Sequence, residues 1–298
     1  IFELALIISF LGIGFFRDIS WLNIPAGASI FLLFTLLIML FSVLYSWFKG
    51  WTLTFLILAI VSFNFLTNRF HLFQFRNYAY GLNYDLKPKY DHENISEHQQ
   101  DKLNVENSIN ENIEILTHWS QKNKGINKPK MVFINTSGGG LRSALWTVHV
   151  LNFLDSITNQ RLTKQTHLIT GASGGMIGAA FYRENYKKGI YGETMVNGNE
   201  MKRRISKDLL NPLAFSIATT DMFYRFKKHD DGKYIYTKDR GWFFEKNLIE
   251  NLNCFEGKRI LDYKLPEYHS DIPMMIFSPS VVNDGRRLLI SPQKITFL

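Results

Sequence analysis

Residues 131–142 read MVFINTSGGGLR and residues 167–178 read HLITGASGGMIG, and these two glycine-rich stretches decide the fold. In each stretch a short apolar run ends in a group of glycines, and residues with helical spacing follow. A short apolar run bounded by turn-forming residues is typical of a buried strand in a parallel sheet. The repeated order of strand, turn and helix therefore predicts an α/β fold with a parallel sheet.

The sequence on either side extends this pattern. An amphipathic helix is expected over residues 107–121, and apolar residues at helical spacing predict helices from Leu141 to Leu154 and from Met176 to Lys188. Two further strands are expected at Pro273–Phe277 and Arg287–Ile290. Residues 190–270 have a mixed pattern that assigns no element clearly.

The N-terminal region has the composition of a membrane anchor. Residues 1–66 contain only four charged side chains, whereas the whole chain has a net charge of +8. Ala26–Phe48 is free of charge over 23 residues, which is long enough to cross a hydrocarbon core of about 30 Å. Ile1–Phe16 and Trp51–Leu66 are shorter apolar runs that reach spanning length with their flanks. We therefore expect two to three transmembrane helices.

A buried core helix and a signal peptide are the alternatives to an anchor, but several closely spaced runs without a polar face fit neither. Arg17 in the first connection, and the arginines after the last run, place the main domain on the cytoplasmic side. The expected division is a transmembrane region over residues 1–70, a linker with a helix over 71–128 and an α/β domain over 129–298. Because the chain opens inside an apolar run, we expect further membrane sequence upstream.

Composition excludes several classes of protein. A hydrophobic content of 46% excludes a disordered chain, and the single cysteine, Cys254, excludes an intrachain disulfide framework or a Cys-rich zinc site. His149 and His167 lack the spacing of metal ligands, so we expect no metal and no cofactor. Lysine and arginine are scattered along the chain, which favours an anionic membrane surface over nucleic acid as the partner of this basic domain.

The two glycine-rich turns carry the candidate chemistry. Residues 171–175 form a G-x-S-x-G pattern, in which Ser173 lies on a sharp strand-to-helix turn and Gly171 and Gly175 avoid clashes with the backbone. Residues 138–140 are three consecutive glycines whose backbone N–H groups can hold an oxyanion. Roughly thirty residues separate the two turns, so one strand–helix unit can place them side by side.

The stretches SGGGLRSA and GASGG resemble motifs of the patatin-like phospholipase family. The resemblance covers about residues 130–298 and is strongest over 130–181. It implies a patatin-like parallel-sheet hydrolase that cleaves acyl esters of membrane lipids with a Ser–Asp dyad. It further implies that Ser173 is the nucleophile, that Gly138, Gly139 and Gly140 form the oxyanion hole, and that Arg142 is the basic residue beside the substrate.

The sequence departs from the family pattern at two places. Ser137 stands where many members have aspartate, and the D-G-G or D-G-A motif that carries the dyad aspartate is missing. Asp284 is followed by glycine but lies in the turn ahead of the expected motif. We therefore expect the dyad aspartate beyond Leu298, and expect residues 1–298 by themselves to be inactive or nearly so, because a serine without its base is a poor nucleophile.

Other interpretations remain open. A non-catalytic membrane scaffold would keep the same fold, and a Ser-His-Asp hydrolase would use His229 or His269, which follow Ser173 in the chain. For Arg142, a purely structural pairing with a carboxylate is the alternative to a role near the substrate. Transacylation, in which an alcohol replaces water, fits the same residues. A dinucleotide site is disfavoured, because no acidic residue ends a second strand at the required distance.

Overall fold

A computed structural model of the chain describes residues 24–70, 102–221, 227–230, 234–281 and 285–297, together with residues 5, 6, 8, 9, 12, 13, 85, 86, 91, 93, 96 and 232. Three features discussed above lie outside the described residues: most of the apolar run Ile1–Phe16, Arg17 and Asp284.

Helices predominate in the described residues, and their bounds follow in chain order. The α-helices are α1 (Ala26–Phe48), α2 (Thr52–Phe70), α3 (Lys102–Lys122), α4 (Gly140–Ile157), α5 (Arg161–Gln165), α6 (Ser173–Ile190), α7 (Gly198–Ile205), α8 (Leu210–Ser216), α9 (Arg240–Leu252) and α10 (Lys264–Tyr268). A π-helical turn covers Ile217–Asp221, and 3-10 turns cover Lys49–Trp51 and Ile260–Tyr263. The strands are β1 (Val132–Thr136), β2 (Thr166–Gly171), β3 (Lys228–Asp230), β4 (Ile235–Thr237) and β5 (Met274–Phe277).

Three of the strands form a parallel sheet in the order β1–β2–β5. Thr136 of β1 pairs with Gly171 of β2, and Gly171 pairs with Phe277 of β5, so the carboxyl ends of all three strands are level. The expectation of a mixed α/β fold with a parallel sheet is confirmed. The strands β3 and β4 pair with each other as a short antiparallel hairpin.

Helices α4 and α6 pack closely against each other on the sheet. Gly178 makes this approach possible, because a Cβ at that position would lie far inside contact distance of the Ala144 carbonyl oxygen. The buried strand residues Ile169 and Met275 are 1% and 0% exposed and anchor the same core. The apolar periodicity of the sequence therefore places α4 and α6 correctly, and each extends a few residues beyond its predicted bounds.

The segment after β5 corrects one predicted element. Arg287–Ile290 forms no continuous strand, but returns beside β5 through isolated antiparallel bridges from Ile290 to Phe277 and from Arg287 to Ser280. Pro279 lies between these two bridges. Because proline has no backbone N–H to donate, the ladder between the bridges is interrupted.

The apolar N-terminal region also differs from the prediction. The described residues contain one helical stretch that is long and apolar enough to cross a membrane, Ala26–Thr67, rather than two to three separate spans. The predicted runs Ala26–Phe48 and Trp51–Leu66 are both part of it. Only Lys49 and Gly50 separate the two runs. These two residues lie in the 3-10 turn Lys49–Trp51 rather than in a polar loop.

The chain forms two compact units, which do not coincide with the predicted division. The sheet unit comprises residues 87–207 and 251–298, and the apolar-helix unit comprises residues 1–86 and 208–250. Residues 208–250 lie within the predicted region 129–298 but belong to the unit that contains α1. This segment is called the excursion below. Helix α3, which was assigned to a linker, belongs to the sheet unit.

Within the apolar-helix unit, the excursion packs directly on α1. Phe215 and Ala218 are each 1% exposed, and Leu33 and Leu36 of α1 pack against them. The side-chain oxygen of Asn211 accepts a hydrogen bond of 2.7 Å from the backbone N–H of Ala26, at the start of α1. Polar and apolar contacts together thus tie residues 208–221 to the first turns of the apolar helix.

Candidate active site

The two glycine-rich turns lie at the same edge of the sheet. Residues 137–139 follow β1, and Ala172 follows β2, at strand ends that are level with each other. The helices α4 and α6 begin at Gly140 and Ser173, directly after these turns. The prediction that a single strand–helix unit brings both turns together is confirmed by this arrangement.

Ser173 has the backbone conformation of a strained elbow. Its φ is +57°, in the left-handed region that costs an L-residue about 1–2 kcal/mol, and its side chain is exposed. Gly171, two residues earlier, has a φ of +149°, and a Cβ there would collide with the carbonyl oxygen and hydroxyl of Thr136. Such strain persists where the surrounding structure holds it, and it is concentrated at functional sites.

The glycines after Ser173 let the elbow and the glycine loop touch. A Cβ on Gly174 would collide with the carbonyl oxygen of Gly140, and a Cβ on Gly175 would collide with that of Ser137. The Ser143 hydroxyl donates a hydrogen bond of 2.6 Å to the same Ser137 carbonyl and holds the loop against α4. Side chains at positions 174 and 175 would force the two turns apart.

Gly138 is the loop residue that adjoins the serine hydroxyl. A Cβ placed on Gly138 would lie 3.3 Å from the Cβ of Ser173 and 3.8 Å from its Oγ. A group attached to the Ser173 hydroxyl would therefore lie against the backbone of the glycine loop. This is the position that an oxyanion-hole residue has to occupy.

Two helix N-termini favour negative charge at this edge. Helices α4 and α6 start at Gly140 and Ser173, and within the described residues no side chain caps either start. The first N–H groups of a helix have no partner inside the helix, and the helix dipole gives them a partial positive charge. The edge thus offers backbone donors to an anion, with no cationic side chain required.

Arg142 lies in the first turn of α4 with its side chain exposed. It forms no ion pair with any carboxylate that the structure describes. The guanidinium is therefore free to meet a negatively charged group of a ligand that approaches the same edge.

No base for Ser173 is found among the described residues, since none of their carboxylates or imidazoles hydrogen-bonds to its Oγ. The histidines of the alternative triad have other neighbours. His269 lies 5.5 Å from the ring of His118, and His229 lies 6.0 Å from the ring of Trp242, measured between ring centroids.

The sequence analysis missed a buried charge network on α6, C-terminal to the turn at Ser173. Arg183 pairs with Glu267 of α10, and its neighbour Glu184 pairs with Lys258 and accepts a hydrogen bond of 2.7 Å from the Tyr263 hydroxyl. Burial raises the pKa of the Glu267 carboxyl to about 7, because desolvation outweighs the effect of Arg183. The only signal in the sequence was the Arg183-Glu184 pair that follows the apolar residues Phe181 and Tyr182 within the helix.

The same network surrounds the single cysteine. Burial, together with the nearby carboxylate of Glu184, raises the pKa of the Cys254 thiol to about 12. A thiol in this environment is protonated at neutral pH and is a poor nucleophile. The described residues contain no group of three or more histidine, cysteine, aspartate or glutamate side chains placed to hold a metal ion.

Comparison of the chain with protein-family models, with curated proteins and with solved structures gives no match. The assignment of the site therefore depends on its geometry and on the resemblance of its two motifs.

Proposed function

We propose that the protein is a membrane-anchored serine acyl hydrolase of patatin-like fold, with Ser173 as its nucleophile and a membrane lipid ester as its substrate. The observation that carries the proposal is the left-handed φ of +57° at Ser173, at the start of α6 and beside the glycine loop. Strain of this kind at an exposed serine between glycines is typical of a nucleophile elbow.

In the proposed reaction the Ser173 hydroxyl attacks the ester carbonyl and gives a tetrahedral intermediate. The backbone N–H groups of Gly138, Gly139 and Gly140 and the first turn of α6 stabilise its oxyanion. One such donor is worth about 3 kcal/mol of transition-state free energy. The intermediate collapses to an acyl-enzyme and releases the alcohol, and water then frees the fatty acid. Arg142 is assigned to an anionic part of the substrate.

The proton of Ser173 needs an acceptor. The resemblance assigns it to an aspartate in a D-G-G or D-G-A motif, which residues 1–298 do not contain. Turnover is expected to depend on such an aspartate, because a serine without its base is a poor nucleophile.

The membrane component of the proposal is supported by α1 and by its contacts. The stretch Ala26–Thr67 is long and apolar enough to cross a bilayer, and residues 208–221 of the excursion pack on its first turns. An enzyme held in this way meets its lipid substrate at the membrane surface. We place the sheet unit in the cytoplasm, because the positive charge follows the apolar region in the sequence.

A non-catalytic scaffold is the second candidate, and one observation favours it: none of the described residues supplies a base for Ser173. A scaffold would use the glycine-rich edge to bind an anionic lipid or protein group without turnover. Its serine would not be activated.

The two candidates are separated by a fluorophosphonate probe applied to the full-length protein in detergent. Labelling of the wild type that disappears in Ser173→Ala supports an activated nucleophile. Ser120→Ala is the matched control, because Ser120 is exposed on α3 away from the glycine-rich edge. A folded wild type that does not react favours the scaffold, and labelling that survives in Ser173→Ala refutes the assignment of the nucleophile.

Gly138→Ala tests the oxyanion loop separately. The new methyl group would lie 3.3 Å from the Cβ of Ser173, so close that one of the two residues must shift by a few tenths of an ångström, and it narrows the place where the oxyanion forms. We expect the variant to react with the probe roughly tenfold or more slowly, since small displacements of a reacting group have large effects on rate. Thermal unfolding of the variant, measured alongside, checks that it is folded. An unchanged labelling rate would remove Gly138 from the oxyanion hole.

A further inference from the structure

Helix α4 carries a row of large apolar side chains on its outer face. Trp146, Phe153 and Ile157 are 66%, 57% and 60% exposed. On the opposite side of the same helix, Val148 and Leu151 are buried in the core of the sheet unit. At about 100° per residue, the three exposed side chains lie within an arc of roughly 40° around the helix axis. They therefore form one apolar strip that is open to solvent.

Two polar side chains complete this face. Arg142 lies in the first turn of α4, and His149 lies between Trp146 and Phe153, with its ring centroid 6.2 Å from that of Trp146. Arg142, Trp146, His149, Phe153 and Ile157 are together called the α4 stripe. The stripe extends over roughly 22 Å of the helix. Because it starts in the first turn after the glycine loop, it begins at the glycine-rich edge.

The charge at both ends of the stripe is positive. Arg142 lies at its N-terminal end, and Arg161 and Lys164, both exposed, follow its C-terminal end in the chain. None of these three cations forms an ion pair within the described part of the chain. Asp155 is the only acidic residue between positions 140 and 165, and it faces inward. It is 8% exposed, and its carboxylate accepts a hydrogen bond of 2.7 Å from the Tyr182 hydroxyl.

The helix beside α4 does not neutralise this charge. A Cβ on Gly198 would lie 3.3 Å from Oδ1 of Asn152, so the start of α7 packs against the flank of α4. The one acidic residue of α7 is Glu200, and its carboxylate pairs with Arg203 at 2.6 Å and with Arg204 at 2.7 Å. The cations at the ends of the stripe thus find no free carboxylate on α7.

The composition of the stripe restricts what can cover it. Exposed apolar patches mark contacts with membranes or with other proteins. Tryptophan is enriched at membrane–water interfaces, where its apolar body and polar N–H are both accommodated. Cations beside an apolar strip can reach the phosphates of anionic lipids. A second copy of the stripe is a poor partner, because both ends are cationic and any two-fold pairing would bring like charges together.

We propose that the α4 stripe docks on the surface of a bilayer that contains anionic lipid. Trp146, Phe153 and Ile157 enter the interfacial region, and the cations at the two ends meet lipid headgroups. The inference rests on the membrane location given under the proposed function, but not on the activity of Ser173. Because the stripe begins at the glycine-rich edge, docking holds that edge at the lipid surface.

The test follows docking in the full-length protein, reconstituted in nanodiscs. An NBD fluorophore is attached to Ser156→Cys, since Ser156 is exposed and lies three residues after Phe153 on the same face. Ser120→Cys is the matched site, because Ser120 is exposed on α3. The unsubstituted protein is the labelling blank, because burial keeps the Cys254 thiol protonated.

The lipid composition separates apolar from electrostatic attraction. One set of nanodiscs contains phosphatidylcholine, and a second set contains phosphatidylserine in addition. Both sets include phosphatidylcholine that carries a nitroxide near its headgroup and quenches NBD at short range. Docking therefore appears as quenching at position 156, and it should be stronger with phosphatidylserine.

Two double variants make the test specific. Trp146→Ser combined with Ile157→Ser removes mostly exposed apolar surface from the stripe. It should lower the ratio of docked to undocked sheet units about tenfold or more, because two large apolar side chains no longer leave water. Leu103→Ser combined with Leu261→Ser is the matched control, since these leucines are 68% and 69% exposed elsewhere in the sheet unit. Thermal unfolding of each variant checks that it is folded.

The outcomes are distinct. Quenching that is stronger at position 156 than at 120, increases with phosphatidylserine and is lost only in the stripe variant supports the proposal. Equal quenching at the two positions, or quenching that survives in Trp146→Ser/Ile157→Ser, overturns it. A blue-shifted emission at position 156 without quenching would mean that protein covers the stripe, which also overturns it. Equal quenching in the two sets of nanodiscs refutes the requirement for anionic lipid.

Failure of this proposal and failure of the proposed function give different results. The reaction of Ser173 with a fluorophosphonate is measured on the same samples. Docking without reaction refutes the hydrolase and leaves the membrane-binding stripe standing. Reaction without docking refutes the stripe and leaves the hydrolase standing.

Discussion

Replacing Ser173 by glycine should make the protein more stable and inactive at once. Ser173 has a φ of +57°, and its side chain is exposed, so the substitution removes little packing while it relieves the left-handed strain. Glycine adopts this conformation without a steric cost. A serine retained only for structural reasons would not be expected at such a position.

The magnitude follows from two opposing contributions. Relief of the left-handed conformation gains about 1–2 kcal/mol, and the additional freedom of glycine in the unfolded chain costs roughly 0.5–1 kcal/mol. The net gain in the free energy of unfolding is about 0–1.5 kcal/mol. For a domain in the size class of the sheet unit, about 150–250 residues, this corresponds to a rise in melting temperature of up to about 6 °C.

The assay compares wild type, Ser173→Gly and Ser173→Ala by thermal unfolding in one detergent. Alanine is the matched control, because it removes the hydroxyl but keeps the Cβ and therefore the strain. We expect Ser173→Ala to melt with the wild type, Ser173→Gly to melt above both, and neither variant to react with a fluorophosphonate. If Ser173→Gly melts at or below Ser173→Ala, the backbone at this position is not strained and the elbow interpretation is wrong.

Three other perturbations test the packing, the buried carboxyl and the contact to the apolar helix. Gly178→Ala should cost about 2 kcal/mol of unfolding free energy because its methyl group meets the Ala144 carbonyl, whereas Gly125→Ala, with open space around it, should cost almost nothing in the same chemical denaturation. Because burial raises the pKa of Glu267 from 4.5 to about 7, the folded state holds a proton there that the unfolded state has lost, and stability should fall by up to about 3 kcal/mol from pH 4.5 to pH 7. Glu267→Gln should lack this fall, and an equal fall in the variant would assign it to another group. Asn211→Ala should lower the unfolding free energy by about 1 kcal/mol through loss of the acceptor at the start of α1, while Asn211→Asp should retain it; equal melting of both would show that the acceptor is unimportant.

The sequence was most informative where neighbouring residues decide the structure. The strands β1 and β2 and the helices α4 and α6 were predicted from runs of about ten residues, since an apolar run that ends in glycines restricts its own backbone. The pattern at residues 171–175 likewise indicated a sharp turn at Ser173, and the structure has a left-handed residue there. A turn of this kind depends on the absence of side chains, which is visible in the sequence.

The sequence was less informative wherever the contact partners are far apart in the chain. Phe277 of β5 pairs with Gly171, and Glu267 pairs with Arg183, across separations of about 80 to 110 residues. No periodicity indicates which distant segment completes a buried pair, because that choice depends on the packing of the whole unit. For the same reason the packing of the excursion, residues 208–250, on α1 could not be predicted from the sequence. The mixed composition of this segment does not indicate its contact partner.

The sequence by itself determined the parallel α/β character, the two glycine-rich turns, the candidate nucleophile Ser173 and an apolar region able to cross a membrane, because each depends on residues that are close together in the chain. Only the tertiary structure decided that the apolar runs Ala26–Phe48 and Trp51–Leu66 form one helical stretch, and that residues 208–250 belong to the apolar-helix unit. It also decided that Arg183 of α6 pairs with Glu267 of α10. These features arise from burial and charge pairing between distant segments, which are settled only when the chain has folded.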